Sequence, residues 1–319
     1  MRKTHDLWLT FCSLCLAVAG LAVVADAAQP VVPGTGHTIK EVGDDFEDED
    51  WSWTHNWPKS TQNINEISNN PTGYSDNDRW YEGIKRGHPD QIQRVPTPEG
   101  GLPGSKGSLL LRSLYTGIPK KPSFQSQQDD FICDVMYTMG GAIPVDQTPN
   151  VVTRVFLPPV EQWENRTGCH FAFRVALDTT IRKVSTGFFA STKYEREIYY
   201  PGMFIDFEAK EESDRDYDTA SIRIRADSSG NDYKAKDITV TGWWTLGISV
   251  TPDGALHYYA RPGIENLTKQ DHIASHFAYG YHGERFRTFF FNVVNGDDGK
   301  TWSTPWVVDD PTVHFVKPN

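Results

Sequence analysis

From about residue 40 onward, apolar and polar residues alternate in short runs, separated by clusters of Gly, Pro, Asn and Asp. A period of two is the mark of strands with one face turned inward. The clearest runs are 108–113, 131–137, 151–157, 170–177, 203–208, 220–226, 243–250, 256–260, 288–294 and 306–315. In 151–157, Val151, Thr153, Val155 and Leu157 point one way, and Val152, Arg154 and Phe156 the other. Helical periodicity is nearly absent over the same span. Many short strands without intervening helices predict an all-β protein, an antiparallel β-sandwich.

Two irregular stretches interrupt the alternation. The first, 51–107, carries Trp51, Trp53, Trp57, Trp80 and Tyr81 among many Asn, Pro and Gly, and reads as long loops decorating the sandwich. The second, 209–218, is a charged tip joining two strands. No Gly/Ser-rich linker divides the chain, so residues 43–319 are expected to form a single domain after a short extension, 28–42.

The first 27 residues have a different character. Arg2 and Lys3 precede a short apolar run over 14–24, and Ala25-Asp26-Ala27 places small residues where a signal peptidase reads them. Cleavage after Ala27 is expected, giving a secreted, periplasmic or cell-surface protein with no membrane span. Only Cys133 and Cys169 then survive, in a compartment that permits a disulfide. Each also sits in an apolar alternation, so a bridge between them and two buried thiols are equally compatible with the pattern.

Composition narrows the partners. The chain has 31 Lys and Arg against 42 Asp and Glu, a net charge of −11, and lacks the positive field that holds nucleic acid or an anionic membrane. Aromatic residues make up 13%, enough to furnish both a core and platforms for sugar rings. GxSxG, HExxH and phosphate-cradling glycine loops are absent.

The densest acidic run is Asp44-Asp45-Phe46-Glu47-Asp48-Glu49-Asp50, placed at the predicted first strand; Val308-Asp309-Asp310 lies near the other end. Calcium takes roughly six to eight oxygens from such groups. Asp45-Phe46-Glu47 followed by Trp51 and Trp53, with Val308-Asp309-Asp310 closing the chain, resembles the concanavalin A-like jelly-roll superfamily. It is similar in particular to exported carbohydrate-binding modules and laminarinase-like sandwiches. The resemblance implies neighbouring first and last strands and a structural calcium there, held by Glu47 and Asp310 with Asp45 as a weaker candidate.

Polysaccharide binding needs flat aromatic faces with polar groups beside them. Trp80, Tyr81, Tyr199, Tyr200, Trp244, Tyr258 and Tyr281 are the candidates, about half of which belong in a sandwich core. Arg79, Lys85, Arg86, His88 and Arg94, set against Glu82 and Asp90, read first as a loop surface salted with charges and second as a basic patch for a sulfated or uronic glycan. For catalysis the candidates are Asp206 and Glu208. They share the polar side of strand 203–208 at a Cα spacing of about 6.8 Å, and the segment resembles the carboxylate strand of laminarinase-type hydrolases, although Phe204 stands where that motif has a further acid. The next strand puts Arg223 and Arg225 on the same side, so a lattice of ion pairs competes with the catalytic reading. An exported, non-catalytic polysaccharide binder is therefore expected, with a glycoside hydrolase or polysaccharide lyase, and an adhesive surface protein, as alternatives.

Overall fold

The computed structural model describes residues 28–184 and 191–317; the expected signal peptide, 1–27, lies outside the described residues. The chain enters through β1 (His37–Thr38), β2 (Trp53–Thr54), β3 (Tyr74–Ser75), β4 (Trp80–Glu82), β5 (Gln91–Pro96) and β6 (Gly107–Arg112). β7 (Gln127–Cys133), β8 (Ile143–Pro144), β9 (Asn150–Leu157), β10 (Gly168–Val184) and β11 (Thr192–Tyr199) follow. Next come β12 (Gly202–Glu208), β13 (Thr219–Arg225), β14 (Tyr233–Ile238), β15 (Gly242–Val250) and β16 (Leu256–Pro262). β17 (His272–His276), β18 (Arg285–Asn295) and β19 (Trp306–Phe315) complete the series.

These strands form two antiparallel sheets, the β-sandwich expected from the alternation and the jelly roll implied by the resemblance. The smaller sheet has the order β17-β16-β15-β9-β19-β6-β5, with β1 on β19; the larger runs β14-β13-β12-β10-β18-β7-β4-β3-β2, with β11 on β10 and β8 on β18. Between them the inward side chains meet: Leu109, Leu111, Val151, Val155, Trp306 and Val308 from one sheet, and Phe131, Phe171, Phe173, Phe289 and Phe291 from the other. Trp306 touches Phe171 across the gap with ring centroids 5.0 Å apart. Burying such side chains is worth about 1.5–3 kcal/mol each, which is why the period-two pattern dominates the fold.

Several expectations are corrected. The run 131–137 is not one strand: β7 stops at Cys133 and a four-residue helix, Val135–Thr138, follows, because the Asp134 carboxylate accepts a hydrogen bond from the Tyr137 N–H and caps a turn. The acidic run 44–50 is not the first strand either. Phe46 takes the left-handed backbone at φ 54°, and the buried Asp44 carboxylate accepts from the indole N–H groups of Trp51 and Trp80. The extension 28–42 is part of the sandwich: β1 pairs with the last strand, and Ile39 and Val42 are buried in the core. Ahead of β1, the segment around Val31–Pro33 lies over the outer face of the smaller sheet. There the Ser249 hydroxyl donates to the Val31 carbonyl, and Gly247, lacking a Cβ, leaves room for the Pro33 ring.

The Cys133–Cys169 bridge does not form; both thiols are free. Strand β18 runs between β7 and β10, which carry the two cysteines, and pairs with both. Burial pushes the Cys169 thiol up to about 12.

The irregular stretch after Trp51 is pinned by buried polar groups. Glu82 accepts from the Ser60 N–H at 2.7 Å and the Gly73 N–H at 2.8 Å, holding two distant turns against β4. No helix among the described residues is long and apolar enough to cross a membrane.

Candidate functional site

The outward side of the larger sheet carries the chemistry. Strand alternation sends Phe173 and Val175 inward and Arg174 outward, Met203 and Ile205 inward and Phe204 and Asp206 outward, and Ile222 and Ile224 inward and Arg223 and Arg225 outward. Register brings them together: Phe204 pairs with Ala172 on one side and Arg223 on the other, and Arg174 lies opposite Phe290.

The result is a layer of guanidinium groups on aromatic rings. Arg174 sits 5.3–5.9 Å from the ring centroids of Phe290, Phe204 and Tyr200, and Arg223 and Arg225 lie 5.1 and 5.5 Å from Phe204. Those cations cover Phe204 and Phe290, each 5% exposed although neither faces the core. Lys85 extends the layer, 5.2 Å from the Tyr200 ring centroid.

Four cations here meet neutral partners. Arg174 donates to the Tyr200 carbonyl from Nε and Nη2 and to Asn292 Oδ1 from Nη1. Arg225 donates to the Tyr279 hydroxyl at 2.9 Å, Lys85 to the Tyr200 hydroxyl at 3.2 Å and Arg86 to the Gln127 amide oxygen at 3.4 Å. Nearby Asp130 accepts from Gln128 and Asn292, and burial raises its carboxyl above the ordinary value.

The predicted carboxylate pair lies at the edge of this layer. Asp206 is bound by Arg223 Nε at 2.6 Å, and Arg223 also reaches Asp232 at 3.0 Å. Arg223 does so diagonally, since Ser221 is the residue opposite Asp206. Burial raises the Asp206 carboxyl, with Arg223 opposing. Glu208 is held by Arg215 and by the Thr219 hydroxyl. Each carboxylate thus has its own guanidinium, the arrangement of an ion-pair lattice.

Of the predicted sugar platforms, Trp80, Tyr199, Trp244 and Tyr258 are buried at 1%, 5%, 1% and 0% exposure and cannot stack on a ligand. Trp80 is parallel to Phe131 at 4.5 Å, and Trp244 and Tyr258 point into the core from β15 and β16. Tyr81, Tyr200 and Tyr281 are half-buried and within reach of solvent. Tyr200 belongs to the arginine layer; Tyr281 packs with Tyr199 and Tyr279 beside it. The predicted basic patch is split: Lys85 and Arg86 join the layer, His88 is buried, and Arg79 and Arg94 serve the acidic run. Arg174, Phe204 and Phe290 were not anticipated. Their signal was an arginine between Ala172 and Ala176 on the outward side of an otherwise apolar strand.

The expected calcium ligands each have protein partners; burial raises the Asp310 carboxyl, and Asp45 lies near enough to raise it further. Glu47 Oε1 accepts from the Lys106 N–H at 2.8 Å and the Gly107 N–H at 3.2 Å; burial would raise its carboxyl, but those donors hold it below the ordinary value. Asp310 is paired with Arg154 at 3.1 Å, and Asp45 accepts from the Glu47 N–H. Arg94 Nε donates to the Phe46 carbonyl at 2.7 Å, so guanidinium groups stand where cation charge was expected. Among the described residues no group of three or more His, Cys, Asp or Glu side chains is placed to hold a metal.

A separate hollow of 570 Å³ is lined by Trp163, Arg215, Tyr217, Lys234 and Ile238 among others; none of the predicted platforms borders it.

No protein-family profile matches the chain, and no curated protein does. Among solved structures, the chain is similar to an alginate lyase from Pseudomonas aeruginosa, at 10% identity and a TM-score of 0.36, covering 71% of this chain and 86% of that one. It is also similar to an endo-β-1,4-glucuronan lyase from the fungus Trichoderma reesei, at 9% identity and a TM-score of 0.35, covering 70% and 86%. The exoplasmic/lumenal domain of VIP36, solved with calcium and a Man3GlcNAc glycan, aligns at 10% identity and a TM-score of 0.33, covering 72% and 86%.

Proposed function

We propose that the outward face of the larger sheet binds an anionic polysaccharide. The observation that carries this reading is the set of four cations, Lys85, Arg86, Arg174 and Arg225, whose hydrogen-bond partners are all neutral, three of them (Lys85, Arg174 and Arg225) set on aromatic rings, in a chain of net charge −11. A structural lattice would spend its cations on carboxylates, as Arg223 does with Asp206 and Asp232. Guanidinium forks match carboxylate and sulfate geometry, and the neighbouring tyrosines offer surfaces to sugar rings. Export is part of the proposal, because such polymers lie outside the cell.

Binding without turnover is the first reading, and Asp206 and Glu208 then have structural roles. Lyase chemistry on the same face is the second, favoured by one contact: the Lys85 ammonium donates to the Tyr200 hydroxyl beside Arg174. Eliminating across a uronate needs a cation on the carboxylate and a base for the adjacent proton, and these residues are of the right kinds. Retention on immobilised carboxylated, sulfated and neutral polysaccharides, with single-stranded DNA as a control polyanion, tests the proposal. Salt-sensitive retention on the anionic glycans is expected. Retention on neutral glycans alone, or equal retention of DNA, refutes it. Ultraviolet absorbance from unsaturated uronate ends, lost in Tyr200→Phe, decides for the lyase.

A further inference from the structure

The irregular stretch between the acidic run and β5 buries a lysine completely. Lys59 Nζ lies 2.7 Å from Asp129 Oδ2 and 3.0 Å from Asp90 Oδ1, and it also donates to the His88 carbonyl at 3.0 Å. The side chains of Lys59 and Asp129 are 0% exposed, and that of Asp90 is 6% exposed. Gly87, at φ +80°, passes so close that a Cβ there would sit 2.8 Å from Lys59 Cδ. The chain is therefore shaped around this side chain.

As an ion pair the cluster is poorly balanced. Two carboxylates face one ammonium, and Asp129 Oδ1 is buried with no hydrogen-bond partner among the described residues, a costly place for a carboxylate oxygen. Asp129 Oδ2 by contrast accepts from both Lys59 and the Ser113 hydroxyl, the latter at 2.6 Å. Asp90 is fixed by its other oxygen, which accepts from the Leu114 and Tyr115 N–H groups at 2.6 Å each. The three groups are those an amide condensation requires: an amine, a carboxyl in contact with it, and a second carboxylate within reach of the same nitrogen to carry a proton. Water, the product to be expelled, is excluded from the site, which favours the amide.

We propose that Lys59 and Asp129 condense into an intramolecular amide, Nζ to Cγ, with Asp90 as the proton carrier. The Lys59 proton first passes across the 2.7 Å contact to Asp129 Oδ2, giving an amine and a carboxylic acid. Burial raises the Asp129 carboxyl well above its ordinary value and favours that acid, while Asp129 and Asp90 together outweigh burial at Lys59, raise its ammonium and oppose the transfer. The Nζ lone pair then adds to Cγ. Asp90 takes a proton from the nitrogen and delivers it to Oδ2, the Cγ–Oδ2 bond breaks, and one water leaves. Oδ1 remains as the amide carbonyl. No oxidant or reductant is needed, and the Asp90 carboxylate ends as it began. The product ties the irregular stretch to β7 in a protein whose Cys133 and Cys169 are both free, so it would supply a covalent staple that no disulfide between those two provides.

The test is the intact mass of the purified full-length protein under denaturing conditions, taken against the sequence mass for its own measured N-terminus, followed by peptide mapping. The wild-type protein is expected to be one water lighter and to yield a branched peptide joining the Lys59 and Asp129 segments. Lys59→Arg is expected to show its full sequence mass. Asp129→Asn can still condense and is expected one ammonia lighter than its own sequence. Asp90→Asn, which leaves the Lys59–Asp129 contact in place, is expected to show mostly unlinked peptide. A wild-type protein at full sequence mass with unlinked peptides overturns the proposal, as does a water loss that maps elsewhere; linkage undiminished in Asp90→Asn overturns the role of Asp90.

Discussion

His170 gives the sharpest pH experiment. The residue is 0% exposed between Trp163 and Phe207, with ring centroids 5.7 and 5.6 Å away. Its Nε2 lies 2.7 Å from the Arg166 carbonyl, which can only accept, so Nε2 carries the proton. Nδ1 then accepts from the Thr304 hydroxyl at 2.9 Å. A second proton, on Nδ1, would reverse that bond and place a full charge on a ring buried between Trp163 and Phe207. Burial, reinforced by the Arg166 guanidinium, lowers the imidazole from 6.5 to about 3. Because the folded value lies below the unfolded one, the contribution to stability is fully present above pH 6.5 and is lost as pH falls toward 3. Between pH 8 and pH 4 the loss is about 3 kcal/mol. Other groups titrate in the same window, so the measurement is a difference. Urea unfolding of wild type and His170→Gln is followed at both pH values, and the wild-type advantage is expected to shrink by about 3 kcal/mol on acidification. A change below about 1 kcal/mol would refute the argument, since the histidine would then accept its proton in the folded state.

Three further outcomes follow from the structure. Arg225→Gln is expected to weaken retention on an anionic glycan about tenfold, or about 1.4 kcal/mol, in a protein that still shows a cooperative melt; undiminished retention removes Arg225 from the binding face. Burial raises the Asp309 carboxyl to about 7 despite the Ser105 hydroxyl, so its neutral form stabilises the fold fully below 3.8 and that benefit is lost progressively as pH rises to 7; the gain in melting temperature of Asp309→Asn over wild type should be larger at pH 8 than at pH 5, and equal gains at the two pH values contradict the shift. Chelator and added calcium are expected to leave the melting temperature unchanged, because Arg154 and backbone N–H groups already engage Asp310 and Glu47; a calcium-dependent rise abolished by Asp310→Asn would show that an ion displaces Arg154.

The core strands were legible because their inward residues are apolar and evenly spaced, as in β9 and β12. Strand β11 was not: Thr192–Tyr199 reads Thr-Lys-Tyr-Glu-Arg-Glu-Ile-Tyr, and it is exposed along most of its length, so no buried face imposes a pattern. The end of β7 was missed because Val135 and Tyr137 continue the alternation past a local cap that Asp134 supplies. At the site, the ion pairs of Asp206 were foreseeable from alternation, whereas the role of Phe204 was not. An outward phenylalanine between two inward apolar residues reads as more core until Arg174, Arg223 and Arg225 are seen to cover it. Contacts between strands distant in sequence carry that information, and spacing within one strand does not.

The segment lying over the smaller sheet has a practical corollary for anyone who anchors this protein. Both ends of the described chain belong to that sheet, since β1 pairs with β19 and Val31–Pro33 packs against β15. A tether, reporter or biosensor linkage ahead of Val31 therefore joins the sandwich at the smaller sheet, away from Arg174 and Arg225. An N-terminally immobilised array of the protein would present its arginine layer to the liquid phase with a common orientation, and coupling chemistry aimed at lysines, which would take Lys85, would spoil it.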